Sequence, residues 1–248
     1  MKLLLDIGNT AVKWAFAEGQ ALAGQGGFVH RDKNFRELAE RAWSTAAAPE
    51  SVFAVNVAGA GLASALSDYT QAAWQLEPEF VQVSTAECGV TNAYDTPGDL
   101  GADRWVAMVA AHRLSDRAVC VVDCGTAITL DVVAADGQHR GGLILPGMAM
   151  LCQSLAVNTA GIEMHDDVPA SGVLALGTRA GVERGAQILL ASTIDRIVNE
   201  IAEQGDGTPD VIVTGGDAKQ LLPLLGTTVQ HVPGLVLQGL AIMSEGGS

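Results

Sequence analysis

The stretch Val121–Asp131 reads V-V-D-C-G-T-A-I-T-L-D and gathers residue types that handle phosphate. An apolar run, Ala118–Val122, ends in Asp123. Gly125, Thr126 and Thr129 follow, and a second β-rich run covers Ile128–Val133. Glycine lets the backbone approach an anion. Threonine hydroxyls and backbone N–H groups donate to phosphate oxygens, and a carboxylate can hold the cation that neutralises them. The pattern predicts a β-hairpin with a short polar turn. A turn that only reverses the chain favours Asn-Gly or Asp-Gly at its centre. Here the aspartate sits at the strand end instead.

A weaker copy opens the chain. Leu3–Lys13 reads L-L-L-D-I-G-N-T-A-V-K. Asp6 pairs with Asp123 and Gly8 with Gly125, each at a spacing of 117 residues. Either D-x-G alone reads as an ordinary strand-turn. Two of them, each opening a domain-sized half, predict two related domains facing across a cleft, with phosphates between them. The expected halves are residues 1–117 and 118–248.

Elements that position these hairpins follow from periodicity. The first half reads as strands at Lys2–Asp6, Ala11–Ala17 and Leu22–Val29, a helix over Lys33–Ala46, and a strand at Ser51–Val57. A helix over Leu62–Trp74 and a short strand at Phe80–Val83 follow. Phe35, Leu38, Ala39, Ala42 and Trp43 mark one helical face. This order predicts a mixed sheet flanked by helices. Gly89–Arg104 is mostly loop, with a turn at Pro97-Gly98 and Asp103 in the first turn of a helix over Ala102–Leu114. A charge favourable to a helix N-terminus explains Asp103 alone. It does not explain Tyr94, Gly101 and Arg104 beside it.

In the second half, Gln138–Leu145 is a strand, with a bulge or close approach at Gly141-Gly142. A helix covers Met148–Leu155, and Asn158–Gly172 is polar loop. Thr178 precedes a long helix to about Gln204, whose stripe runs through Ile188, Ala191, Ile194, Ile197, Val198 and Ile201. Thr178 reads equally as an N-cap or as a functional hydroxyl. A strand at Val211–Thr214 runs into Gly215-Gly216-Asp217, either an ordinary βα turn or a nucleotide contact at a helix N-terminus. The last helix covers Leu235–Ser244.

Composition removes several classes. Hydrophobic residues at 48% supply a core, and charged residues at 17% exclude a disordered chain. A net charge of −14 with only 14 basic residues argues against nucleic acid or an anionic membrane as partner. An acidic phosphate binder must recruit cations. No signal peptide or membrane span is expected. Cys88, Cys120, Cys124 and Cys152 form no C-x-x-C and no zinc spacing, which suits a reduced, cytoplasmic setting.

In order, these motifs resemble the type III pantothenate kinases of the actin/sugar kinase/heat-shock ATPase superfamily. D-x-G-N-T-x-x-K is matched by Asp6, Gly8, Asn9, Thr10 and Lys13. Y-x-x-P-x-x-L-G-x-D-R is matched by Tyr94, Pro97, Leu100, Gly101, Asp103 and Arg104. D-x-G-T-A-x-T-x-D is matched from Asp123 to Asp131, and G-G-x-I-x-P-G from Gly141 to Gly147. A Thr seven residues before a Gly is matched by Thr178 and Gly185, and T-G-G by Thr214–Gly216. The family's T-A-x-L-P reads Thr159-Ala160-Gly161-Ile162-Glu163 here.

The resemblance implies an α/β fold of two ribonuclease H-like domains and ATP-dependent phosphorylation of pantothenate, the first step toward coenzyme A. It makes Asp103 the base that orients and deprotonates the acceptor hydroxyl. Asp6, Ile7, Gly8, Asn9, Thr10, Ala11, Val12, Lys13 and Thr126 would bind ATP. Tyr94, Gly101, Ala102, Asp103, Arg104 and Thr178 would bind pantothenate. Asp123 would hold K⁺ or NH₄⁺, and Mg²⁺ would accompany ATP. The family is homodimeric, with Thr178 reaching the neighbour's pocket. Two other readings stand beside this one: another phosphotransferase of the superfamily, and a non-catalytic accessory factor for transcription.

Overall fold

The computed structural model describes residues 1–159, 162 and 172–246. Most of the expected polar loop over 158–172 therefore lies outside the described residues, as does the end of the short tail.

The first half begins with β1 (Lys2–Ile7), β2 (Ala11–Glu18) and β3 (Ala21–Val29). Then come α1 (Phe35–Trp43), β4 (Ser51–Asn56), α2 (Ala60–Trp74) and β5 (Glu79–Phe80). Two short paired strands follow, β6 (Ala86–Glu87) and β7 (Val90–Thr91), and β7 falls inside the stretch Gly89–Arg104 expected to be mostly loop. Their turn is Cys88-Gly89, both at positive φ. A 3₁₀ turn at Pro97–Asp99 leads into α3 (Ala102–Arg113).

The second half contains β8 (Val119–Cys124), β9 (Ala127–Val133), β10 (His139–Pro146) and α4 (Met148–Asn158). It continues with α5 (Thr178–Ile201), β11 (Asp210–Thr214), α6 (Ala218–Leu221), β12 (Gln230–His231) and α7 (Leu235–Met243).

The two main sheets share one topology. The first runs β3-β2-β1-β4-β5 and the second β10-β9-β8-β11-β12. Counted within its own half, each is third, second, first, fourth, fifth. The spacing of 117 residues between the two D-x-G turns is thus a spacing between equivalent strands. Asp6 is the fifth residue of β1 and Asp123 the fifth of β8. In both sheets the first strand is central and apolar on both faces, as fully covered strands are. Leu3, Leu4, Leu5 and Ile7 are wholly buried in β1, and Val119, Cys120, Val122 and Cys124 in β8.

Two packing units divide the chain, breaking between Asp116 and Arg117. Two later segments, Val133–Gly141 and the chain from Gly234 on, pack with the first unit. The physical cause at the C-terminus is α7. Its Gly239 lies against the Val106 backbone of α3, and eight of its nine residues are buried. The Lys2 ammonium also ties β1 to the Ser244 carbonyl just after α7.

Candidate active site

The first unit carries the N-terminal hairpin. Asp6 and Lys13 are direct cross-strand partners on β1 and β2. That register puts the Lys13 Nζ 3.7 Å from Asp6 Oδ2, an opposite-charge pair of the kind sheets favour. Asp6 is 8% exposed, while the Lys13 side chain remains 44% exposed. The Gly8 N–H donates to the Ala11 carbonyl at 3.1 Å and closes the turn. The His30 Nε2–H donates to the Gly8 carbonyl at 2.8 Å, and the His30 N–H donates to the Thr10 carbonyl. Nothing in the sequence marks His30 for this contact. A lone histidine 22 residues from Gly8 gives no spacing signal; only the pairing of β2 with β3 brings it to the turn.

The same unit builds the Tyr94–Arg104 loop. Gly101 is the N-cap of α3, and Asp103 lies in its first turn as expected. The Asp103 Oδ1 accepts the Arg104 N–H at 2.8 Å, satisfying one of the orphan donors of a helix start. A Cβ on Gly101 would stand 2.7 Å from that oxygen. Arg104 is 6% exposed, and its Nη1 donates to the Tyr94 hydroxyl at 3.2 Å. Tyr94 is held at the backbone by the Asn92 Oδ1, which accepts its N–H at 3.0 Å. Tyr94, Gly101, Ala102, Asp103 and Arg104 therefore form one local cluster.

In the second unit, the central hairpin is also closed by its glycine, but one residue tighter, with the Gly125 N–H donating to the Ala127 carbonyl at 3.1 Å. Around it gather the other glycine motifs. The Gly147 N–H donates to the Thr126 carbonyl at 3.1 Å, and the Asp217 N–H to the Cys124 carbonyl at 2.9 Å. Thr214 is the in-register partner of Asp123. Gly215 follows at φ +97°, with any Cβ there 2.5 Å from Asp123 Oδ1. Only glycine suits both the left-handed backbone and that approach. Burial raises the Asp217 carboxyl above its ordinary value, against a hydrogen bond from Gln220. Burial, then the Asp123 and Asp217 charges, push the Cys124 thiol up to about 12. It is a core residue and no nucleophile.

Two sequence expectations change here. The helix after Gly215-Gly216 is only the four residues of α6, because Pro223 forces a 3₁₀ turn at Leu222–Leu224. So short a helix has little dipole, and the anion-binding potential of this turn rests on its backbone. The N-cap of α5 is Gly177, and Thr178 is the first helical residue, exposed and without a capping hydrogen bond. The N-cap reading of Thr178 therefore fails.

Comparison with known proteins decides the lineage. The model of the type III pantothenate kinase family matches residues 2–200. The chain belongs to the type III pantothenate kinase family. A relative of that description from Nitrosococcus oceani is 41% identical over 250 residues, covering 99% of this chain and 94% of its own. Another from Aromatoleum aromaticum is 37% identical, covering 99% and 98%. Among solved structures, a putative 2-dehydro-3-deoxygalactonokinase from Sinorhizobium meliloti superposes with a TM-score of 0.60 at 16% identity, over 99% of this chain and 96% of that one. A conserved putative Baf family transcriptional activator from Campylobacter jejuni gives 0.58 at 18% identity, over 98% of each. Both likenesses show the fold alone: two mixed sheets flanked by helices, as type III pantothenate kinases are expected to have.

Among the described residues, no group of three His, Cys, Asp or Glu side chains could hold a metal ion. No described helix is long and apolar enough to cross a membrane.

Proposed function

We propose that this chain transfers the γ-phosphoryl group of ATP to the primary hydroxyl of pantothenate, the step that opens coenzyme A synthesis. The observation that carries this reading is the Tyr94–Arg104 cluster in a chain of this family. A nucleophilic hydroxyl needs a carboxylate within hydrogen-bond reach, and Asp103 offers one on a helix start. A bound carboxylic acid needs a guanidinium, and Arg104 supplies it. The Asp103 carboxylate takes the hydroxyl proton as the oxygen bonds to phosphorus and the bond to ADP breaks. In a loose transition state that proton leaves late, so orientation counts for more than basicity.

The residues from Asp6 to Lys13 and Thr126 form the phosphate contacts in this reading. Lys13 is the one lysine within either phosphate motif, too little positive charge for a triphosphate. The donor set therefore suits cations that share oxygens with the nucleotide. Asp6 would accept Mg²⁺ arriving with ATP, and Asp123 would hold K⁺ or NH₄⁺. Both ions would neutralise phosphate charge. The four free cysteines fit the cytoplasmic setting.

The working unit is a homodimer in this proposal. All but two of the large apolar side chains exposed among the described residues lie between Leu143 and Leu189. They include Ile144, Val157, Leu174 and Leu189. Exposed apolar side chains in this number, gathered in one stretch of the chain, suit a second copy of the chain. Thr178 is exposed within the same span and would serve the neighbour's pocket.

One assay tests the activity: ADP release coupled to NADH oxidation, with and without pantothenate, and with K⁺ replaced by a bulky organic cation at constant ionic strength. Release that requires both pantothenate and K⁺ or NH₄⁺ is expected. Release driven by another hydroxyl compound, or none at all, would replace this reading with the other phosphotransferase or the accessory factor.

A further inference from the structure

His139 opens β10 and is 4% exposed, yet it belongs to none of the motifs that carry the kinase reading. Its ring lies parallel to Tyr94, with centroids 6.0 Å apart and planes 11° apart. Its Nδ1 lies 3.5 Å from the Ala93 N–H, a long contact and the weaker of the two. The segment ahead of it is bound to the same loop. The Thr91 N–H donates to the Gly137 carbonyl at 2.9 Å, and Thr91 and Gln138 form a parallel bridge. The β9–β10 turn therefore docks on the substrate loop and delivers one imidazole against the Tyr94 ring. At its other end Tyr94 meets Arg104, whose Cζ is 5.8 Å from the ring centroid and whose Nη1 reaches the hydroxyl.

We propose that His139 is a positioning residue for the substrate: it fixes the plane of Tyr94, so that the phenol and the Arg104 guanidinium present one preset polar pair to the carboxylate end of pantothenate. This rests on the reading that Tyr94 and Arg104 bind that substrate. A free phenol on a loop can swing about χ1 and χ2, and ordering it at each binding event weakens binding. A parallel ring already in place removes that loss. The device acts on binding and leaves phosphoryl transfer alone.

The test compares His139→Leu, which fills the space without a ring face, with His139→Phe, which restores one. His139→Leu should raise KM for pantothenate several-fold, up to about ten-fold for an aromatic pair. KM for ATP and kcat should stay within about two-fold. His139→Phe should return KM for pantothenate to near the parent value. In a Tyr94→Ala background, His139→Leu should add no further increase, since partners in one device are not additive. If the parent uses pantothenate but His139→Leu leaves its KM unchanged, lowers only kcat, or is not rescued by Phe, the proposal is overturned. A variant recovered only as unfolded protein leaves the Phe substitution to decide: a KM raised there too overturns it. A parent that does not turn over pantothenate overturns the proposed function itself.

Discussion

The Asp103 carboxylate accepts the backbone N–H of Arg104 at 2.8 Å, so the group proposed as base is anchored to the first turn of its own helix. Gly101 maintains that geometry, because a Cβ there would meet Asp103 Oδ1 at 2.7 Å. Gly101→Ala should displace the carboxylate and leave the fold intact. A misplacement near 1 Å costs on the order of 100-fold in rate. Steady-state kinetics should show kcat falling by about that much with KM for ATP within a few-fold. A kcat within three-fold of the parent, roughly, would mean that carboxylate placement does not limit turnover.

Asp103→Asn keeps the oxygen that accepts the Arg104 N–H and removes the proton acceptor. Turnover should fall by at least about 100-fold, the usual range for losing a general base. ATP binding, read by equilibrium dialysis, should stay within a few-fold. Turnover within about ten-fold of the parent would remove Asp103 from the base role.

Gly215 stands beside the carboxylate proposed to hold the monovalent cation. At its φ of +97° a Cβ would stand 2.3 Å from the Cys124 carbonyl oxygen and 2.5 Å from Asp123 Oδ1, which leaves no room for a side chain. Gly215→Ala should push Asp123 aside, raising both KM for ATP and the K⁺ concentration for half-activation. A K⁺ titration at saturating ATP measures the second effect. An unchanged half-activation would separate the cation site from Asp123.

The hairpins and the loop cluster were legible from sequence because each is local, and their repeat because the two local patterns match. Apolar runs, D-x-G turns and Pro97-Gly98 sit within a few residues of what they shape. What stayed hidden depends on chain segments meeting from afar. His30 reaches the Gly8 carbonyl from 22 residues away, and His139 reaches Ala93 from 46. A single histidine, just past a strand like His30 or at a strand's first residue like His139, carries no periodic mark of either contact. The docking of α7 on α3 hides in Gly239, one glycine among 29. Thr178 shows a finer limit: the N-cap falls one residue earlier, at Gly177, a shift that a Thr ahead of a helical pattern does not reveal.

The buried thiols make stability fall at alkaline pH. Burial, with a smaller push from the Asp131 charge, raises the Cys120 thiol to about 12, and Cys124 rises to about 12 as well. In the unfolded chain both ionise near 9.0. Above that pH the unfolded state loses protons the folded state keeps, so unfolding becomes easier up to the folded value. Each thiol contributes a loss of about 1.4 kcal/mol per pH unit in that window. Urea midpoints at pH 8 and pH 10 should drop less for Cys120→Ala than for the parent, whatever its absolute stability. Both thiols should also resist a chromogenic disulfide reagent at pH 8 until the protein unfolds. Equal pH slopes for variant and parent would contradict this account.

The proposed sharing of the pocket between two copies is open to a direct test by complementation. Thr178 is exposed, is not the N-cap of α5, and lies in the span that holds most of the exposed apolar surface. A group donated to a second copy fits those three facts; a group serving its own chain's helix does not. Asp103→Asn should be inactive through loss of the base. Thr178→Tyr should be inactive through a bulky ring at the donated position. Mixed dimers of the two then carry one site with both lesions and one site with neither. Random exchange makes half the dimers mixed, each with one working site of two, so activity should recover to about a quarter of the parent's. Exchange itself is followed by differently tagged subunits co-purifying. Tagged subunits that exchange while the mixture stays inactive would assign Thr178 to its own chain's pocket or to none.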